Sequence, residues 1–109
     1  MEDNNLQQEF FNYLKSTLPA HLSLVDELHL NGIKVYATEM KAEKSFSDVD
    51  FTEPAAIVMG SEEKGVYPAL QKICDDIIKI PMAGGFESLN VSVATGIILY
   101  EAMRQRVLA

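Results

Sequence analysis

Two segments of this sequence place glycine and small polar residues directly after an apolar run, a pattern typical of loops that bind a ligand through their backbone. The first covers residues 57–65 and reads Ile-Val-Met-Gly-Ser-Glu-Glu-Lys-Gly, and the second runs from Ile80 to Ala94. In open α/β sheets, ligands bind beyond the carboxyl ends of strands, where loop amides and helix N-termini supply hydrogen bonds. The two loops therefore predict one shared ligand site. Taken singly, each glycine is better explained as a turn former, and neither loop fits a P-loop or a GxGxxG dinucleotide loop.

The elements that must position these loops are three strands. An alternating run at 33–38, a continuous apolar run at 55–59 and a short isoleucine-rich run at 77–80 that ends at Pro81 predict strands. Helical patterns lie between them, so we expect an α/β fold with a parallel sheet and flanking helices. Residues 39–54 are charged, rich in Ser and Asp and without a sustained period. We expect them to form a solvated connection.

Four helices are predicted from apolar spacing and capping residues. The last one has apolar residues on more than one face, so it should be largely buried, partly against a second subunit. In order, the helices are an amphipathic one from Leu6 to Leu18 closed by Pro19, a short one capped by Ser23 and ended by Asn31-Gly32, one over Val66–Asp75, and a long one from Leu89 to Val107 capped by Ser88.

Length, composition and charge argue against several classes of protein, including membrane proteins and proteins that bind nucleic acid through a broad basic surface. With 109 residues, 48% of them hydrophobic, the chain predicts one folded domain. No apolar run approaches a membrane span and no signal pattern opens the sequence, so we expect a soluble cytoplasmic protein. The net charge of −7 argues against a broad basic surface for nucleic acid. The single Cys74 lacks partners for a disulfide or a metal site and is predicted to pack in the core.

The motifs resemble those of the SpoU/TrmH family of RNA 2′-O-ribose methyltransferases, which use S-adenosylmethionine. They are most similar to the bacterial 23S rRNA guanosine 2′-O-methyltransferases. The resemblance covers about residues 31–106, so we divide the chain into a helical N-terminal segment, 1–30, and a methyltransferase part, 31–109. The matching blocks are Gly32-Ile-Lys-Val-Tyr-Ala-Thr38, Val58-Met-Gly-Ser-Glu62, and IPMAG, SLNVSVATGI and EAMRQR between Ile80 and Arg106.

The resemblance implies a SPOUT-type trefoil-knotted fold, a homodimer and an RNA substrate (rRNA or tRNA). From the residues themselves we expect no metal and no membrane. It also implies a cofactor site. Gly60 would let backbone approach the ligand without a Cβ, and apolar side chains would enclose the adenine. The matching positions are Gly60, Ile80 and Leu89, with Met82, Ser88 and Asn90 in the same motif; Glu62, Ser88 and Asn90 are weak catalytic candidates.

Several of these residues also have readings that need no ligand. Glu62 either fixes its loop or is an exposed turn carboxylate, and Asn90 either ties two loops together or touches substrate. Glu63 departs from the commonest family pattern, which has Gly. His21 and His29 are expected to be solvated or capping residues. Arg104 and Arg106 would be dimer or RNA contacts, or would simply suit the helix dipole.

A part of the family pattern is missing. The family carries an Arg on an Asn/Gly-rich turn after its first strand, whereas this sequence has no Arg before Arg104. The chain therefore resembles the C-terminal half of the catalytic domain, with the first strands missing, as a fragment, a truncation or a fusion. We expect it to hold much of the cofactor site and to be inactive alone. The alternative is a noncatalytic dimeric α/β interaction module.

Overall fold

A parallel sheet forms the centre of the chain. The computed structural model describes residues 19–60, 65–83 and 89–109, and the predicted helix from Leu6 to Leu18 lies outside them. The strands are β1 (Lys34–Thr38), β2 (Lys44–Ser45), β3 (Ala55–Val58) and β4 (Asp76–Lys79). Their order is β2-β4-β1-β3, and every pairing is parallel. The three predicted strands are confirmed to within one residue, and β2 is an addition.

Helix α1, residues 19–30, leads into β1. It ends at Gly32, whose φ is +74° and whose N–H donates to the His29 carbonyl, while Ile33 donates to Leu28. This pair of bonds is a Schellman ending, so the predicted stop is confirmed. The predicted start is wrong. Pro19 and Ser23 both lie within the helix, since the fixed φ of proline is compatible with helical backbone.

The other two helices flank β4. Helix α2 covers only Pro68–Gln71, shorter than predicted, with Pro68 at its first position, where the missing N–H costs nothing. Helix α3 covers Val91–Leu108. Its N-cap is Asn90, whose side-chain oxygen accepts from the Ser92 N–H at 2.9 Å, so the predicted cap at Ser88 is wrong. An Asn two residues before that amide supplies the oxygen the first turn needs.

Helices cover both faces of the sheet, because alternate side chains of a strand point to opposite faces. One core cluster lies between the sheet and helices α1 and α2. The other lies between the sheet and α3. The first cluster contains Val25, Val35, Ala37, Val66 and Leu70, and the second contains Tyr36, Val49, Phe51, Ile78 and Ile98.

The connection between β1 and β3 is solvated along most of its length, as predicted, but it also buries apolar side chains, which the prediction missed. Val49 and Phe51 are 3% and 1% exposed. The Gln105 side chain accepts from the Phe51 N–H at 2.7 Å and donates to the Val49 carbonyl at 2.9 Å, and the Arg106 Nε donates to the Phe51 carbonyl at 2.8 Å. The end of α3 thus provides hydrogen-bond partners for the backbone of residues 49–51. Because these backbone groups are paired, Val49 and Phe51 can be buried in the core.

Helix α3 is less buried within one chain than predicted. Only one of its faces meets the sheet, where Ile98 is buried. Glu101 is also buried, and Arg104 and Gln105 donate to its carboxylate. No helix among the described residues is long and apolar enough to span a bilayer. The exposed apolar side chains of α3 are Val93, Leu99, Tyr100, Met103, Val107 and Leu108.

Candidate active site at the carboxyl edge of the sheet

An open cleft lies where β1, β3 and β4 end. Because the strands are parallel, their carboxyl ends meet at one edge, and α3 begins beside it. Thr38 closes β1, Met59 and Gly60 follow β3, and Ile80 follows β4. All four residues line the cleft together with Leu89.

Four of the six predicted cofactor residues therefore line one cleft: Gly60, Ile80, Met82 and Leu89. Asn90 is not in its wall. It is exposed, and its side chain caps α3, so the structure assigns it a role within its own helix. Ser88, Glu62 and Glu63 lie outside the described residues.

Gly60 is required by its own loop. A Cβ at this position would overlap the carbonyl carbon of Gly65 and lie 2.5 Å from the Gly65 oxygen. Gly65 has a φ of +65°, a conformation that favours glycine. The two glycines thus allow residues 60 and 65 to approach backbone to backbone. The sequence predicts these glycines only as turn formers, and the structure shows that their backbones approach each other closely.

Glu39 and Gln71 lie beside Gly65 and Val66. The Gln71 Nε2 donates to the Val66 carbonyl at 2.7 Å and to the Glu39 Oε2 at 3.4 Å. The Glu39 carboxylate also lies close to Gly65, since a Cβ there would be 2.7 Å from its Oε2. Sequence reasoning missed Thr38 and Glu39 as wall residues. Their signal was available, because they follow a predicted strand as the two glycine loops do.

The apolar wall of the cleft is continuous with the core. Met59 and Ile80 line the cleft and pack against the cluster beneath α3. Ile98, which is 1% exposed, belongs to both. A change in the core below α3 would therefore move the wall of the cleft.

Charged side chains surround the remainder of the cleft. The Lys44 Nζ lies 2.9 Å from the Asp76 Oδ2, and this hydrogen bond lowers the pKa of Asp76. The lysines of the wall are Lys41, Lys44, Lys72 and Lys79, and the acids are Glu39, Glu43, Asp75 and Asp76.

His29 joins α1 to the beginning of β4. Its Nε2 lies 2.7 Å from the Asp75 Oδ2, which also accepts from the Val35 N–H at 2.6 Å. Burial raises the pKa of Asp75, but these hydrogen bonds outweigh it and lower the pKa overall. His29 and His21 are both exposed, as predicted, and His29 has Asp75 as a structural partner.

Cys74 and the arginines of α3 have structural contacts. The Cys74 Sγ donates to the Leu70 carbonyl at 3.2 Å beside the first core cluster, which confirms packing, and burial raises its pKa. Arg104 pairs with Glu101, and Arg106 binds the 51–53 backbone. Dimer or RNA contacts through these arginines remain predictions. Among the described residues, no group of His, Cys, Asp and Glu could hold a metal ion.

The SpoU rRNA Methylase family model matches residues 7–100. The chain belongs to this family. The predicted resemblance is therefore confirmed, and the match also includes most of the segment before residue 31.

Relatives of this SpoU chain modify rRNA and tRNA. It is 48% identical over 80 residues to the 23S rRNA (guanosine-2′-O-)-methyltransferase RlmB of Ralstonia nicotianae, covering 73% of this chain and 32% of that protein. It is 51% identical over 81 residues to the tRNA (guanosine(18)-2′-O)-methyltransferase of Aquifex aeolicus, covering 73% and 38%. The chain thus spans about a third of the length of these curated relatives.

A solved SpoU structure shares the fold. The SpoU methyltransferase AviRb of Streptomyces viridochromogenes, in complex with the cofactor AdoMet, superposes with a TM-score of 0.74 at 34% identity, covering 84% of this chain and 37% of that one. The predicted fold class, a parallel sheet with flanking helices, is confirmed as that of SpoU methyltransferases.

Proposed function

We propose that this chain provides the S-adenosylmethionine-binding part of an RNA ribose 2′-O-methyltransferase. The observation that carries the proposal is the shared cleft of Gly60, Ile80, Met82 and Leu89 at the carboxyl edge of the sheet. The family and the cofactor complex of AviRb support it. Ser88 and Asn90, from the same motif, complete the proposed set, with Asn90 acting through the start of α3.

The described wall fits the chemistry of this cofactor. Ile80, Met82 and Leu89 supply half-buried apolar surface of the kind that encloses an adenine ring. Glu39 lies beside Gly65 in the wall of the cleft. Its carboxylate would attract the positively charged amino or sulfonium group of the cofactor. Gly60 and Gly65 both line the cleft and have no side chains, so they present backbone to it.

The bound cofactor would supply a methyl group activated by its sulfonium for attack by a ribose 2′-oxygen. The chain's own residues would orient it, exclude water with the apolar wall, and hold Glu39 and Val66 in place through Gln71. Removal of the hydroxyl proton needs a further positioned group. The sequence lacks an Arg before Arg104, and the remaining candidates are Glu62, Ser88 and Asn90. We therefore expect little methyl transfer by this chain alone.

The apolar side of α3 supports a homodimer. Leu99, Met103 and Val107 lie at helical spacing and are 59%, 55% and 75% exposed. They line a groove together with Phe51 and Ala55. Apolar surface of this kind marks a protein interface. The same face favours the second candidate, a noncatalytic dimeric interaction module. We also propose that the topology is knotted, that the protein is cytoplasmic, and that the chain divides at residue 30 into an N-terminal segment and a methyltransferase part.

A calorimetric titration with S-adenosylhomocysteine tests the proposal. Leu89→Glu places a charge in the half-buried wall and should abolish binding. Leu30→Glu makes the same change at a position that is 86% exposed at the end of α1, and should leave binding intact. Absence of binding by the unaltered chain, with a stable dimer, would favour the interaction module.

Methyl transfer is measured separately. Labelled S-adenosylmethionine is incubated with bulk rRNA and tRNA, beside the Aquifex aeolicus relative. A positioned base typically contributes 10²–10⁴-fold. Turnover should therefore fall short of the relative by at least about 10²-fold. Turnover equal to the relative would refute the assignment of this chain as a partial site.

A further inference from the structure

Glu39 follows β1 directly, and its backbone is fixed at the carboxyl edge of the sheet. Its N–H donates to the Ile78 carbonyl of β4 at 2.9 Å, which extends the pairing of β1 with β4 by one residue. Its own carbonyl accepts from the Ala42 N–H at 3.1 Å and so closes a turn. The Glu39 side chain is half-buried and lines the cleft. The carboxylate is therefore carried by a fixed part of the wall.

Uncharged groups hold this carboxylate in place. The Gln71 Nε2 donates to Oε2 and the Lys41 N–H donates to Oε1, each at 3.4 Å. The same Gln71 amide makes its shorter bond, 2.7 Å, to the Val66 carbonyl, which fixes the orientation of the amide. A carboxylate has about four acceptor positions, so two long bonds leave it able to accept further hydrogen bonds.

The contacts of Glu39 orient its charge without cancelling it. An amide donates a hydrogen bond but carries no charge, whereas a lysine or arginine in the place of Gln71 would neutralise the carboxylate. None of the ion pairs in the described part of the chain includes Glu39. These pairs are His29–Asp75, Lys34–Glu53, Lys44–Asp76 and Glu101–Arg104.

The neighbour of the carboxylate on the cleft wall is a glycine. A Cβ at Gly65 would lie 2.7 Å from the Glu39 Oε2, so the absence of a side chain there leaves the carboxylate uncovered on that side. The apolar residues Ile80, Met82 and Leu89 line the same cleft. The wall thus combines an apolar part, which suits an uncharged aromatic ring, with one oriented carboxylate, which suits a cation.

We propose that Glu39 is a specificity-determining residue of this cleft and that Gln71 is its positioning residue. The Glu39 carboxylate pairs with the positive charge of S-adenosylmethionine, which is carried by the sulfonium and by the amino group. The apolar wall alone accepts any adenine nucleoside, so Glu39 is what favours the charged methyl donor over uncharged ones. The inference rests on the proposed function and deepens it, because it names the residue that recognises the charge of the ligand.

Calorimetric titration with three adenine compounds tests the proposal. S-adenosylmethionine carries the sulfonium and amino charges, S-adenosylhomocysteine carries the amino charge only, and 5′-methylthioadenosine carries neither. Glu39→Gln keeps the shape of the side chain and removes its charge. It should weaken S-adenosylmethionine binding at least about tenfold and leave 5′-methylthioadenosine binding unchanged. An equal loss for S-adenosylhomocysteine assigns the contact to the amino group, and a smaller loss assigns it to the sulfonium.

Two further variants separate charge from structure. Glu27→Gln makes the same chemical change at an exposed position of α1 outside the cleft wall, and it should leave all three affinities unchanged. Gln71→Lys retains the Glu39 carboxylate but places a cation beside it. It should reduce the preference for S-adenosylmethionine over 5′-methylthioadenosine, as Glu39→Gln does. If Gln71→Lys does not fold by circular dichroism, the comparison of Glu39→Gln with Glu27→Gln decides.

The outcomes that overturn the inference differ from those that overturn the proposed function. If Glu39→Gln weakens all three ligands equally, Glu39 only supports the backbone around Gly65, and if it weakens none, Glu39 does not contact the ligand. Either result refutes the inference while the proposed function stands, because the unaltered chain still binds. A preference that does not decrease at high salt also refutes it, since salt screens a charge pair at a half-buried site. Absence of binding of all three ligands by the unaltered chain contradicts the proposed function and the inference with it.

Discussion

Phe51 offers the sharpest test of how the irregular connection supports the site. Its ring is 1% exposed and meets Tyr36 edge to face, with centroids 5.9 Å apart. Phe-to-Ala changes in cores cost about 3–5 kcal/mol, and small domains have about 5–15 kcal/mol in total. We expect Phe51→Ala to lower the free energy of unfolding by about 3–5 kcal/mol, because the α3 side of the core loses its largest fully buried side chain.

The assay is urea unfolding followed by circular dichroism, at one protein concentration so that association is held constant. Leu30→Ala is the control, because Leu30 is 86% exposed and its truncation should change stability by no more than about 0.5 kcal/mol. A loss below about 1 kcal/mol for Phe51→Ala would refute the reasoning, since it would mean that the connection is solvated after all.

Three further predictions concern the loop, the buried carboxylate and the apolar face. Gly60→Val should abolish S-adenosylhomocysteine binding in calorimetry, because its Cβ would overlap the Gly65 backbone, whereas Gly96→Ala, with nothing within 4 Å of its added Cβ, should bind normally and gain about 1 kcal/mol in urea unfolding. Equal binding by both would contradict this. Hydrogen bonds from Arg104 and Gln105 lower the pKa of Glu101 from 4.5 to about 2. The stabilisation of the fold by the ionised Glu101 should therefore be complete above pH 4.5 and disappear toward pH 2, and Glu101→Gln should remove this contribution to the pH dependence of unfolding. Leu99→Glu should convert a dimer into a monomer in light scattering at tens of micromolar, and an unchanged mass would exclude this face from the interface.

The sheet was predictable from sequence because β1 lies in an alternating run, β3 in a continuous apolar run and β4 in an isoleucine-rich run. β2 was not, since a Lys-Ser pair has no strand pattern and is held by its pairing to β4 and by Asp76. The burial of Phe51 could not be predicted from the sequence for a related reason. Its segment has no period, and its backbone is satisfied by side chains more than fifty positions away.

The candidate site was predictable to a similar extent. Two glycine loops after strands located the edge of the sheet, and the cleft joins Gly60, Ile80 and Leu89 there. Glu39 was missed because the loop after β1 has no glycine. The role of Asn90 was also missed, since two candidate caps stand two residues apart and only the backbone shows which one begins α3.

The hydrogen bonds from α3 to the backbone of residues 49–53 also determine when this part of the core can form during synthesis of the chain. Gln105 leaves the ribosome 54 residues after Phe51, the residue whose amide it holds. Until then, the nascent chain carries an aromatic side chain whose burial depends on contacts still to be made. Contacts so distant in sequence form late, and exposed apolar surface in the interval is where chains associate wrongly. The final turns of α3 thus act as the closing step of folding, and shortening them would leave a nearly complete sheet with an open core.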